Sequence, residues 1–111
     1  MCDQKEALSI LEEVFRLCKE LMPEIKSAYL YGSYARGDYH AESDVDILLT
    51  ADLTQQEIDL RCMEIARISS AVSLTHDVTV SVTVKPEKSF LEYSAILPFY
   101  QNVLREGIVY G

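Results

Sequence analysis

Apolar residues recur every three or four positions between Asp3 and Pro23. Side chains at this spacing share one face of a helix, so the segment predicts an amphipathic helix packed on one side. Asp3 and Glu6 form a capping box at its start, and Pro23 ends the pattern. The apolar positions are Leu8, Leu11, Val14, Phe15, Cys18, Leu21 and Met22.

Two short apolar segments on either side of a polar connection predict two strands. The first, "SAYLYG", is separated from the second, "SDVDILLT", by residues 33–42, which can begin with a helical turn. Alternate residues of a strand share a face, so Asp44 and Asp46 are expected on one face, with Val45 and Ile47 on the other.

A second capping box, "TQQE", opens another helix at Thr54. The stripe expected along its buried face consists of Ile58, Cys62, Ile65, Ala66, Ser69 and Val72. The segment "DVTVSVTVKP" then alternates with period two, which predicts a strand opened by Asp77. Its valines would lie on one face, and Asp77 and the hydroxyl residues on the other.

After Pro86 the pattern predicts a helix around residues 89–94 and a break near Pro98. A further helix is expected through "FYQNVLRE", ending at Gly107, and the chain finishes in "IVY".

Three strands and about three helices predict an α/β (α+β) layer, a small mixed sheet with helices packed mainly on one face. Residues 1–111 are enough for a single domain with one buried core. The opposite face would carry Asp44, Asp46 and Asp77, which predicts a solvent-facing reaction surface.

Charge and cysteine content narrow the function classes. The formal net charge is −8, and the 10 lysines and arginines are scattered, which argues against a nucleic-acid footprint or an anionic membrane and favours a basic partner. Cys2, Cys18 and Cys62 fit neither a disulfide framework nor zinc spacing and are expected to be buried thiols. An acidic N-terminus without a long apolar run predicts a cytoplasmic protein.

The acid pair points to a cation. At a separation of about 7 Å and an effective dielectric of about 20, two carboxylates repel by about 2 kcal/mol, which a divalent ion between Asp44 and Asp46 would offset. Ten residues earlier, Gly32 lets backbone approach a ligand and Ser33 can hold phosphate oxygens. A P-loop is excluded because Asp38 and Tyr39 stand where lysine and a hydroxyl residue are needed.

The spacing Gly32-Ser33, ten residues, Asp44-x-Asp46 resembles the signature of the nucleotidyltransferase superfamily that includes DNA polymerase beta. The longer string "GSYARGDYHAESDVDI" resembles its small stand-alone bacterial and archaeal members, the minimal nucleotidyltransferases. The resemblance extends over the first helix, both motif strands, the helix from residue 54 and the strand from residue 77, and it implies the polymerase-beta-like fold.

The resemblance implies that Gly32 and Ser33 bind the β- and γ-phosphates of ATP or another nucleoside triphosphate. Asp44 and Asp46 would hold two Mg²⁺ ions during transfer of a nucleoside monophosphate with release of pyrophosphate. A third carboxylate on a neighbouring strand completes such sites, and Asp77 is the expected residue.

Other residues of the implied site have less defined roles in this pattern, and some alternatives stay open. A register shift would place Ser81 at the position expected for Asp77. Arg36 would either touch phosphate or pair with an aspartate of the loop. His40 and His76 have no partner at metal-ligand spacing and are expected to be structural or surface residues. Tyr29, Tyr31, Tyr34 and Tyr39 are expected mainly to pack, with base stacking by one of them as an alternative.

The acceptor is expected to be held by another chain, because 111 residues leave no room for an acceptor-binding domain. The resemblance implies a small helical partner of the HEPN type, with this chain acting as an antitoxin that adds AMP to a tyrosine of the toxin. Two alternatives remain: a binding module that neutralises a partner by contact alone, and a homodimeric small-molecule nucleotidyltransferase.

Overall fold

A computed structural model describes residues 3–111, and within them six helices and four strands alternate along the chain. Cys2 lies outside the described residues. In chain order the elements are α1 (Gln4–Leu21), β1 (Ile25–Tyr31), α2 (Ser33–Arg36), β2 (Val45–Ala51), α3 (Gln55–Asp59), α4 (Cys62–His76), β3 (Val80–Pro86), α5 (Glu87–Tyr93), α6 (Pro98–Glu106) and β4 (Ile108–Tyr110).

The strands form one mixed sheet in the order β3-β2-β1-β4. Strand β1 pairs antiparallel with β2 and with β4, whereas β2 and β3 are parallel. Tyr31 is opposite Asp46 across the β1–β2 pair, and Ser81 is the neighbour of Asp46 across the β2–β3 pair. The predicted fold class is confirmed.

Helices α1 and α4 cover one face of the sheet and enclose the main core. The apolar stripe of α1 supplies Ile10, Leu11, Val14 and Cys18, which are fully or almost fully buried. The Asp3 side chain caps this helix by accepting a hydrogen bond from Glu6 N at 2.8 Å. Alternate residues of β2 point into the same core: Val45, Ile47, Leu49 and Ala51.

The second face is more covered than the sequence indicates. Leu48 of β2 is completely buried there, beneath Phe90 of α5 and Val103 of α6. Since Asp46 is two residues before Leu48, it lies on this same face, close to the edge of the α5–α6 cover. The acidic face is therefore partly a second small core and partly open.

Three boundaries differ from the sequence prediction. The helix that begins after Thr54 is broken at Leu60 and Arg61 into α3 and α4, although the predicted capping box at its start is present. Asp77 does not open β3; it is the left-handed residue, with φ of 52°, that ends α4. The final "IVY" is a fourth strand, which the three-strand prediction missed.

The cysteines occupy different environments. Cys18 is buried, and burial raises the pKa of its thiol to about 11. Cys62 is exposed, so the prediction of a buried thiol is wrong at that position. Within residues 3–111, no helix is both long and apolar enough to cross a membrane.

Candidate active site

The turn after β1 has a backbone conformation that requires glycine. Gly32 has φ of 79° and ψ of −154°, a region essentially restricted to glycine. Its carbonyl accepts hydrogen bonds from Ala35 N and Arg36 N, both at 3.1 Å, which start α2. Ser33 is therefore the first residue of a helical turn that follows directly after a strand.

Close approach of Asp46 is a second reason for glycine at this turn. A Cβ added to Gly32 would lie 2.6 Å from Asp46 Oδ2, closer than real Cβ contacts allow. The turn and the carboxylate are therefore in direct contact. The contact brings together one residue of the Gly-Ser pair, Gly32, and one of the Asp-x-Asp pair, Asp46.

Asp46 is half-buried, and Asp44 is exposed just before the strand begins. Burial raises the pKa of the Asp46 carboxyl, the negative charge of Asp44 raises it further, and Arg36 lowers it. Burial raises the pKa of Tyr31, and the negative charge of Asp46 raises it further. The structure therefore brings Asp44 close enough to Asp46 to disfavour the charged form of Asp46.

The position of a third carboxylate is less simple. Ser81 is the residue of β3 that neighbours Asp46, which is the alternative register noted for the sequence. Asp77, at the end of α4, shares a depression of about 210 Å³ with Asp44 and with Glu42. Among the described residues, no three His, Cys, Asp or Glu side chains are grouped so that they could hold a metal ion.

Arg36 pairs with two carboxylates at the other side of the turn. Its guanidinium donates to Asp38 Oδ2 at 3.3 Å and to Glu106 Oε2 at 3.4 Å. Hydrogen bonding and charge from Asp38, followed by those from Glu106, raise the pKa of Arg36. Of the two alternatives for Arg36, the structure contains the pairing with a loop aspartate, and the bond to Glu106 also connects the motif loop to α6.

The chain is similar to proteins of a known family. Residues 11–110 match the model of the nucleotidyltransferase domain. The chain belongs to this nucleotidyltransferase family. A relative from Methanocaldococcus jannaschii, named "Putative protein adenylyltransferase MJ0604", is 35% identical over 107 residues, which are 94% of this chain and 96% of the relative.

Two solved structures share the fold of this nucleotidyltransferase. A toxin–antitoxin complex with AMP-PNP contains a chain that matches with a TM-score of 0.62 and 23% identity, over 90% of this chain and 72% of the other. A complex of tri-AMPylated HEPN toxin with MNT antitoxin from Shewanella oneidensis matches with a TM-score of 0.57 and 19% identity, over 95% and 72% of the two chains.

The histidines and most tyrosines of this nucleotidyltransferase have structural roles. His76 Nε2 is 2.8 Å from Glu13 Oε2, and His40 Nδ1 accepts a hydrogen bond from Glu42 N. Tyr34 and Tyr39 stack with ring centroids 4.5 Å apart inside the motif loop. These contacts agree with the predicted packing role.

Sequence reasoning missed the residues that α6 brings to the site. Phe99, Asn102, Val103 and Glu106 line a pocket with Tyr31, Gly32 and Arg36. Their spacing of three, one and three positions is that of one helix face, so the signal was present in the sequence. It could not be assigned to the site because nothing local indicates that α6 packs beside Gly32.

Proposed function

We propose that this nucleotidyltransferase transfers AMP from ATP to a side-chain hydroxyl of a partner protein. The observation that supports the proposal is the direct contact between the Gly32 turn and the Asp46 carboxylate, because a turn that binds phosphate and an acid that binds a cation would have to lie together. The names of the matching proteins support the choice of AMP and of a protein acceptor: a protein adenylyltransferase, and an antitoxin in complex with an AMPylated toxin.

The acid pair fits magnesium. Asp44 and Asp46 offer the carboxylate oxygens that Mg²⁺ prefers. Burial and then the charge of Asp44 raise the pKa of Asp46, and a cation between the two carboxylates would offset both effects. An ion held by these residues would supply positive charge that stabilises the departing pyrophosphate. Asp44 and Asp46 would hold two such ions, and Asp77, which shares a depression with Asp44, would be the third ligand.

The residues of the chain divide the remaining work. Ser33 and the first turn of α2 hold β- and γ-phosphate oxygens, and Arg36 can exchange one of its carboxylate partners for a phosphate. The acceptor oxygen forms a bond to the α-phosphorus, the bond between the α-phosphorus and the bridging oxygen breaks, and pyrophosphate leaves. Asp77 accepts the hydroxyl proton, from its position in the depression beside Asp44.

Mass spectrometry tests the transfer. The protein is incubated with ATP, magnesium and a HEPN-type partner protein, and the partner should gain the mass of AMP. Asp44→Asn and Asp46→Asn should slow transfer by at least about 100-fold, because each removes charge stabilisation at the reacting phosphate. Asp52→Asn, an exposed carboxylate beyond the other end of β2, should transfer at the parental rate. An unmodified partner, or variants equal to the parent, would overturn the proposal.

Asp77 is tested separately. Asp77→Asn should slow transfer while leaving binding of Mg-ATP within about twofold of the parent, since Gly32, Ser33 and Asp46 are unchanged. A parental transfer rate would remove Asp77 from the reaction and leave the rest of the proposal intact.

A second candidate function is neutralisation of the partner by contact alone. It is favoured by Ser81, which lies beside Asp46 where the resemblance implies a third acid, and by the lack of a three-acid group among residues 3–111. In that case Asp44→Asn would still neutralise the partner, whereas loss of neutralisation in this variant would favour the enzyme.

A further inference from the structure

A pocket adjoins the phosphate turn on the side away from β3. It has a volume of about 150 Å³ and lies between Tyr31 and Gly32 on one side and α6 on the other. Sites for complete drug-sized ligands have about 300–1,000 Å³, so this pocket suits one part of a ligand, such as a single planar ring system. Its edge is Gly32, so a ligand part bound here would be continuous with phosphates on the turn.

The walls of the pocket are aromatic. Phe99 packs edge-on against Tyr31, with ring centroids 5.4 Å apart and an interplanar angle of 89°. Phe99 nevertheless remains 49% exposed. A large aromatic ring left half-exposed beside a polar pocket offers a stacking surface for a base.

The polar groups of the pocket come mainly from α6. Asn102 lies one helical turn after Phe99, and its Oδ1 accepts a hydrogen bond from Arg105 at 2.7 Å. An amide oxygen can accept two hydrogen bonds, and an amide nitrogen can donate two. After the bond from Arg105, the Asn102 amide can therefore still accept one hydrogen bond from a ligand and donate two to it. An asparagine amide pairs with the adjacent donor and acceptor on the edge of adenine, and guanine reverses the donor to an acceptor.

We propose that the pocket formed by Tyr31, Phe99 and Asn102 binds the adenine base of the nucleotide whose phosphates lie on the Gly32-Ser33 turn. This inference rests on the proposed function, because it takes the phosphate position from it. The pocket adds base recognition to a site in which the motif residues contact only phosphates and metal. The Arg36–Glu106 ion pair lies at the border between the two parts.

Titration calorimetry with three probes separates the two parts of the site. Mg-ATP, Mg-GTP and magnesium tripolyphosphate are titrated into the full chain. Tripolyphosphate reports the phosphate turn alone, and the two nucleotides differ only in the base. The parent should bind Mg-ATP about tenfold more tightly than Mg-GTP, the discrimination expected of one paired base edge.

Variants of α6 assign the preference to residues. Asn102→Ala and the equally sized Asn102→Asp should lose most of the ATP preference and bind tripolyphosphate as the parent does. Phe99→Ala should weaken both nucleotides about fivefold or more, because stacking accepts any base. Gln56→Ala, which removes an exposed amide on α3, is the matched control and should bind all three probes as the parent does.

The failures of the two proposals are distinguishable. If the parent binds neither ATP nor tripolyphosphate, the proposed function fails. If tripolyphosphate binds but both Asn102 variants keep the parental ratio of ATP to GTP affinity, the base pocket is wrong and the phosphate site stands. Equal affinity of the parent for ATP and GTP would also overturn the adenine assignment.

Discussion

Ile47 and Asp46 are consecutive residues of β2, yet they face environments of opposite character. Ile47 is completely buried, in the mainly aliphatic core on the side of the sheet covered by α1 and α4. Asp46 points to the other face, half-buried between the glycine turn and a second carboxylate. One strand therefore supplies both stability and chemistry, because the period of two sends neighbouring side chains to different faces.

The two faces should respond differently to substitution. Burial of apolar area on the first face stabilises the fold, whereas the second face holds a carboxylate whose charged form is disfavoured by burial and by Asp44. Functional sites commonly hold such locally unfavourable arrangements, and the first face supplies the stability that tolerates them. The following changes separate the two contributions, from the largest expected effect to the smallest.

Ile47→Ala should have the largest effect on folding. Removing three buried methyl and methylene carbons from a completely buried side chain should lower the free energy of unfolding by about 2–5 kcal/mol. Urea denaturation followed by circular dichroism measures it. Val109→Ala, on the exposed part of β4, serves as the control and should change the value by less than about 0.5 kcal/mol. A loss below about 1 kcal/mol at Ile47 would contradict the division between the faces.

Gly32→Ala should have an intermediate effect on folding and a severe effect on the site. The strained backbone should cost about 1–3 kcal/mol, and the new Cβ must displace Asp46, so magnesium should no longer raise the melting temperature. Gly37→Ala is a matched control, because Gly37 also has a positive φ, of 89°, but its Cβ would meet nothing within 4 Å. Gly37→Ala should be destabilised and should keep its response to magnesium. If both variants respond to magnesium like the parent, the contact at Gly32 is irrelevant to the site.

Asp46→Asn should have the smallest effect, and of opposite sign. The pKa of Asp46 is raised in the folded protein, so folding becomes less favourable as the pH rises through that pKa, and the penalty is absent below the unfolded pKa of about 4. At neutral pH without magnesium, Asp46→Asn should therefore be slightly more stable than the parent. The gain should stay below about 1 kcal/mol because solvent screens a half-exposed group.

The pH dependence is the decisive readout for this variant. Thermal unfolding at several pH values should show the advantage of Asp46→Asn growing from acid to neutral pH, with Asp52→Asn showing no such trend. A gain that is already complete at low pH would mean that Asp46 acts through packing instead of charge.

Much of the first face could be predicted from local pattern. The apolar stripe of α1 and the alternation in β2 are short-range patterns, and the polarity of each residue indicates whether its side chain faces the core or solvent. The Gly32 turn and the acid pair were predictable for the same reason, since β1, the loop and β2 are contiguous in the chain.

The second face depended on contacts between distant segments. The unbroken apolar run "ILL" after Asp46 is typical of a strand buried on both faces, so Leu48 indicated that the second face is covered. The run does not indicate which segments cover that face. Strand β4 has three residues, too few for a period, and it exists by pairing with β1. Asp77 was placed in the strand because alternation extends back to Val78, whereas the chain uses Asp77 to end α4 in a left-handed conformation. Leu60, apolar but 82% exposed, gave no sign of the break before α4.

The pairing of Tyr31 with Asp46 also bears on how this molecule folds. This pairing closes a short loop that contains the glycine turn, and the entropy lost in closing a loop rises only slowly with its length. The parallel pairing of β2 with β3 joins segments that are separated by two helices, and such non-local pairing forms more slowly than local pairing. We therefore expect the turn and its carboxylate to meet early in folding, before the fourth strand docks at the far edge.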